Sequence, residues 1–319
     1  MGRNGSRRHR GKAPATMTML VVALVGAGCT TGQTDASHAI RSSVVAYVGN
    51  EAGIVPISSG LHARQLIPIH SRPGGRAVAV GPMAVSPSRL LGYSFASSPD
   101  GLLGIDLATG STSRIGPAFP IDLRWIDIAM GPNARNVFAV FRRSDGDGAI
   151  VRIDSRSGQM SDPVAVSGVP VSLSISPKGN VAYVAVNGGG SVLFVDLASG
   201  RVVRTVQVPK GCSDLAVSPD GRMGYAVGTE VDSTGSGMVS HFTPIDLTTG
   251  AVAPPVESKL RLSDLVVSSD GKSGLAIADN SGGPTKSGRV WRIDLGDGVI
   301  VGWLAVQGGA ITISEGLSG

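Results

Sequence analysis

Little in this 319-residue sequence is suited to chemistry by itself. It has only two cysteines, so no disulfide framework can staple the fold. Aromatic residues make up 4% of the chain, which leaves few platforms for stacking sugars or bases. The longest apolar run, Met17 to Gly28, falls short of the roughly 20 residues that a membrane-spanning helix needs. Gly-x-Ser-x-Gly, His-Glu-x-x-His, a phosphate-cradling Gly-x-x-x-x-Gly-Lys-Ser/Thr and the sialidase-type Asp box are all missing. His62, His70 and His241 show no metal-ligand spacing, and Ser144-Asp-Gly-Asp-Gly148 lacks the distal glutamate of a calcium loop, so an exposed turn is expected there. The expectation is a protein with no cofactor, no metal and no catalytic residue written in its motifs.

The apparent excess of positive charge also has a local origin. Lys plus Arg number 28 against 23 Asp plus Glu, but Arg3, Arg7, Arg8, Arg10 and Lys12 all precede Cys29, and no acid does. Without that leader the charges balance, which removes the case for a nucleic-acid partner.

What the sequence has in quantity is glycine, 46 residues, at regular places. The stretch from Leu173 to Val208 reads as four short strands: Leu173 to Ser176, Val181 to Val186, Ser191 to Asp196 and Val202 to Val208, joined by tight turns. Its turn after the third strand, Asp196-Leu-Ala-Ser-Gly200, recurs at Asp106 to Gly110, Asp154 to Gly158, Asp246 to Gly250 and Asp294 to Gly298, with a degenerate Pro56 to Gly60. Successive glycines lie 50, 48, 42, 50 and 48 residues apart. Four strands per period in the forties predict a β-propeller. The chain enters at a second strand (Val44 to Val48) and leaves after a first strand (Ala310 to Ser314). Pairing those two closes a ring of six four-stranded antiparallel blades, an all-β fold without open edges.

The strings Ser176-Pro-Lys-Gly-Asn-Val-Ala-Tyr-Val-Ala185 and Ser218-Pro-Asp-Gly-Arg-Met-Gly-Tyr-Ala226, each leading into an Asp-Leu-x-x-Gly turn, resemble the YVTN-type propeller repeats of bacterial envelope and surface-layer proteins. The resemblance covers roughly Val44 to Ser314. It implies the fold, and it implies either a binding scaffold or, by way of lactonase-like relatives, a hydrolase.

The ends divide the chain into a signal peptide over 1–28, a flexible tether over 29–43 and the propeller over 44–319. The basic leader and short apolar run read as an export signal. Val25-Gly-Ala-Gly-Cys29 resembles a bacterial lipobox, with Gly26 where that motif usually has leucine, so lipidation at Cys29 and ordinary cleavage near Gly28 both stay open. An acylated Cys29 would hold the protein, a monomer, on the outer face of the cytoplasmic membrane; without it the product is secreted. Cys212, at the start of an inner strand, is expected to be a buried small residue.

Candidate site residues come from aligning the inner strands. Four places before the first-turn Ser or Gly stand Pro82, Asp127, Ser172, Asp214, Asp264 and Ala310, and three places further back stand Arg124 and Arg261, with Trp125 between. One reading is a polar funnel at the channel mouth that takes a cationic or hydrogen-bonding ligand through Arg124, Trp125, Asp127, Ser172, Asp214, Arg261 and Asp264. The other has each Asp accept N–H groups of its own entering loop, and Trp125 simply pack. The repeated turn aspartates are expected to be structural. Connections on the mouth face are long and uneven: His70 to Gly81, Gly116 to Leu123, Arg142 to Gly148, Thr229 to Gly237 and Asp279 to Ser287. That one-sided variation points to a docking face for a protein or a cell-wall component. The alternatives are a metal-dependent, lactonase-like hydrolase using the acidic mouth, and a structural spacer.

Overall fold

The computed structural model describes residues 44–50, 53–58, 60–69, 81–86, 90–95, 101–117, 124–235, 237–279, 288–306 and 312–315. All lie within a single compact unit, Ala36–Gly319. The expected signal peptide and tether, with Cys29, lie outside the described residues, as do the connections over 70–80, 118–123 and 280–287.

Twenty-four strands and no helix make up the described chain. Blade one contains β1 (Val44–Asn50), β2 (Gly53–Ser58) and β3 (Ile67–Pro68), and blade two runs from β4 (Met83–Val85) through β5 (Leu91–Phe95) and β6 (Leu102–Asp106) to β7 (Thr112–Ile115). Blade three is β8 (Arg124–Met130), β9 (Asn136–Arg142), β10 (Gly148–Asp154) and β11 (Val164–Val166); blade four is β12 (Val169–Ile175), β13 (Val181–Asn187), β14 (Ser191–Asp196) and β15 (Arg201–Gln207). Blade five is β16 (Cys212–Val217), β17 (Met223–Val231), β18 (Met238–Asp246) and β19 (Val256–Ser258), and blade six is β20 (Arg261–Val267), β21 (Ser273–Asp279), β22 (Gly288–Asp294) and β23 (Ile300–Val306). The last strand, β24 (Thr312–Glu315), lies antiparallel to β1, with Val48 opposite Ile313 and Ala46 opposite Glu315. It therefore supplies the fourth strand of blade one. The fold is a six-bladed β-propeller closed by its own C-terminal strand, as the repeat predicts.

Burial explains why copies must stack. In β13 the residues Ala182 to Val186 are all buried, so both faces of the strand are covered. Ala182 and Val184 pack with Phe138 and Val140 of blade three, whereas Tyr183 and Ala185 pack with Leu215 of blade five. Alternation in the central strands therefore sorts residues between two interblade cores instead of between core and solvent. Six apolar clusters, one per interface, complete the ring.

The repeated Asp-turns have the structural role expected of them. Asp106 Oδ1 accepts the N–H groups of Ala108 and Thr109 at 2.8 and 3.0 Å, and Asp154 and Asp246 repeat the arrangement. Each turn ends on a glycine packed against the preceding blade. Gly158 has a φ of 69°, and a Cβ there would lie 2.6 Å from the Cα of Gly116.

One expected loop is not a loop. Thr229 to Gly237 continues the β17–β18 ladder, with Thr229 opposite Ser240 and Val231 opposite Met238, and only the tip turns, through Asp232 and Gly235. The strands are nine residues each, so this hairpin extends the mouth face of blade five.

Candidate functional site

A β-bulge interrupts the inner strands of blades three to six just before the aligned residue: between Trp125 and Asp127, Pro170 and Ser172, Cys212 and Asp214, and Leu262 and Asp264. A bulge inserts one residue and re-aims the side chains that follow. Here it brings the aligned side chain to the inner strand of the next blade.

The resulting contacts run around the ring. Asp127 Oδ2 in blade three accepts the N–H of Leu173 in blade four at 2.8 Å, while its Oδ1 accepts that of Ile128 in its own strand. Ser172 in blade four donates its hydroxyl to Asp214 Oδ1 at 2.5 Å and accepts the N–H of Leu215 at 3.2 Å, both in blade five. Asp214 Oδ2 accepts Leu265 N–H in blade six at 2.6 Å. Asp264 Oδ2 accepts Ile313 N–H at 2.9 Å, in the strand that closes the ring. These four side chains thus tie blades three, four, five, six and one together. The amides bound across the interfaces belong to the following blade, while Asp127 and Asp214 also engage the Ile128 and Leu215 amides of their own strands.

Burial dominates the electrostatics. It pushes the Asp127 carboxyl up to about 7, with help from the Asp214 charge and against the Leu173 and Ile128 N–H bonds. Asp214 is 7% exposed and raised for the same first reason, opposed by Ser172 and Leu265. Asp264 is raised well above the ordinary range by burial and by the Asp214 charge, and the two carboxyls share a hydrogen bond. Among the described residues, no three His, Cys, Asp or Glu side chains converge as a metal would require.

The other predicted residues divide. Arg124 and Arg261 occupy matching first positions of β8 and β20 and are exposed at the mouth. Trp125 lies in the interface of blades two and three, stacked on Phe95 at 4.5 Å and edge-on to Phe141 at 5.3 Å. Cys212 is 2% exposed, and burial raises its thiol to about 12. In the Ser144 to Gly148 turn, Asp145 pairs with Arg143 at 3.0 Å and Asp147 accepts Gly168 N–H at 2.8 Å.

Two features went unseen in the sequence. His241 is buried on β18 with Nε2 2.9 Å from Glu230 Oε1 in the extended hairpin, a pairing that depends on the unread continuation of the ladder. A polar cleft on the opposite side of blade three is the second; its one signal is that Gly131-Pro-Asn-Ala134 lacks the leading serine and closing glycine that the turns of blades four, five and six share.

No protein-family model matches the chain, and no curated protein does. Solved structures do resemble it. TolB from Acinetobacter baumannii aligns with a TM-score of 0.64 at 16% identity, covering 87% of this chain and 67% of that one. A protein of unknown function from Bacteroides caccae gives 0.61 at 13% identity over 86% and 99% of the two chains. The Kuenenia stuttgartiensis hydrazine synthase gives 0.56 at 19% identity over 71% of this chain, which spans 66% of that structure's length. At these identities the likeness is one of fold: the chain is a β-propeller like theirs.

Proposed function

We propose that this propeller is a non-catalytic binding scaffold of the YVTN-repeat kind, exported and held at the envelope through Cys29, whose mouth face docks a protein or a cell-wall component. The observation that carries the reading is the engagement of Asp127, Ser172, Asp214 and Asp264 by amides and hydroxyls of neighbouring blades. Groups fixed in this way serve the ring's rigidity. What the same face offers a partner is Arg124, Arg261 and the extended β17–β18 hairpin, held on the closed ring.

The partner is tested by photocrosslinking in intact cells from positions 232 and 234, at the tip of the hairpin. A discrete adduct, weakened by charge reversal at Arg124 and Arg261, supports docking; no adduct from either position overturns it. Anchorage is tested separately by the mass of the mature N-terminus. An acylated Cys29 is expected, and an unmodified terminus contradicts the anchor while leaving docking to its own test.

A hydrolase of the lactonase-like sort draws on one observation, the raised carboxyl of Asp127 at the mouth. It requires a divalent cation among these acids, and so a melting temperature that rises with added metal and falls with chelator. The scaffold reading expects neither change.

A further inference from the structure

The side of blade three away from the mouth carries a cleft of about 510 Å³, within the size range of small-molecule sites. It opens because the outer strand is split. Met160 bridges Ile153, the chain then leaves the sheet, and β11 rejoins it at Val164 opposite Ile150. In the gap the Ser161 hydroxyl takes the Arg152 N–H at 3.0 Å, where a strand would supply a carbonyl.

Blade five has the same split, with Val252 bridging Ile245, so backbone geometry does not set blade three apart. Side chains do. Where blade three carries Asn136, Arg152, Gln159 and Ser161, blade five has Met223, Pro244, Ala251 and Ala253 in register. The preceding turn differs in charge as well. Asp220 and Asp270 accept the N–H two residues on, from Arg222 and Lys272, and Asn133 accepts Arg135 N–H in the same way at 3.0 Å. Blade three therefore has a neutral amide, where blades five and six have a carboxylate, at the rim of a cleft already lined by two guanidinium groups.

The carboxylate that is present is committed. Oδ1 of Asp154 takes the N–H groups of Arg156 and Ser157 and the Ser157 hydroxyl, and its Oδ2 stands 3.6 Å from Arg135 Nε. Its turn bonds outweigh desolvation and hold it near 2, so it stays charged and balances one of the two arginines. The Arg152 guanidinium is left over.

We propose that this cleft binds a carboxylated sugar, such as a uronic acid unit of an acidic polysaccharide. Arg152 supplies the planar donor fork that matches a carboxylate. The amides of Asn136 and Gln159 both donate and accept, as sugar hydroxyls require. Met160, 38% exposed, offers an apolar wall to a ring face. The cleft is too large for a bare inorganic anion. This site is separate from the mouth, and its fate does not depend on the docking reading.

Calorimetric titration of the full chain with glucuronate, glucose and acetate decides the matter. Saturable glucuronate binding is expected, with glucose and acetate each weaker by about tenfold or more because each offers half of the recognised chemistry. Arg152→Gln should weaken glucuronate by a similar factor. So should Asn133→Asp, which restores the carboxylate that blades five and six already hold in the same turn and so leaves the melting temperature unchanged. No saturable glucuronate binding, acetate binding as tightly as glucuronate, or indifference to both substitutions overturns the proposal.

Discussion

Asp214 joins blade five to blade six by accepting the backbone N–H of Leu265 at 2.6 Å, and it does so from a position where it is 7% exposed. Its other oxygen takes the Ser172 hydroxyl from blade four. A single carboxyl group thereby spans three consecutive blades, in the place where the sequence suggests a ligand.

Removing that group should be costly. Asp214→Ala leaves the Leu265 N–H and the Ser172 hydroxyl without a partner in the interior, and unfolding in urea should show a loss of about 2–4 kcal/mol. Asp214→Asn, which keeps an acceptor for Leu265 and the shape of a protonated carboxyl, should lose clearly less. Equal losses from the two variants would contradict the assigned bonds.

Stability should depend on pH in a direction unusual for acids. Because the folded Asp127 carboxyl sits at about 7, above its unfolded value near 4, the folded state holds the proton more tightly. The contribution is whole below about pH 4 and is lost as pH rises to about 7. The turn acids act oppositely: Asp154, held near 2, and Asp196, Asp246 and Asp270, all lowered by turn hydrogen bonds, stabilise above about pH 4 and lose that effect on acidification. The melting temperature should therefore peak near pH 4 to 5 and decline towards neutrality. Asp127→Asn should flatten the decline between pH 4 and 7, and a profile unchanged by it would rule Asp127 out as the cause.

Cys212 should behave as a buried apolar group. With its thiol raised to about 12, Cys212 of the native protein at pH 8 should resist a soluble thiol reagent, read by mass analysis of its own peptide, and react fully only in denaturant. Rapid labelling of the native protein would place this residue elsewhere.

Gly158→Ala should destabilise by about 1–3 kcal/mol, read from the urea midpoint, since it sets a Cβ against the Gly116 backbone at a positive φ. The same change at Gly189, where a Cβ meets nothing within 4 Å and no positive φ is imposed, should be nearly neutral.

The repeat made the ring legible in advance. Spacing alone placed the blades, the closing strand and the Asp-turns, because those depend on local turn chemistry repeated along the chain. Cys212 was legible for the same reason, as one position of a buried strand. The destination of the mouth carboxylates was not. A bulge adds a residue to one strand without any marker in composition, and it stands just before Asp127 and Asp264, whose carboxylates reach the next blade. Trp125 packs, as one of the two sequence readings has it, but its partner was not legible: Phe95 belongs to another blade, and sequence periodicity does not pair side chains across interfaces. The Thr229 to Gly237 segment, rich in Ser and Gly, reads as loop locally but is held as a ladder by the opposing strand.

The most direct test of the interblade latches is amide hydrogen exchange at single-residue resolution in wild type and Asp264→Ala. The wild-type Ile313 N–H should be protected by its bond to Asp264; the variant should exchange faster at Ile313, with Leu173 and Leu215 near their wild-type rates. An Ile313 amide that exchanges at the same rate in both proteins would contradict the latch, and with it the reading of these acids as the ties of the ring.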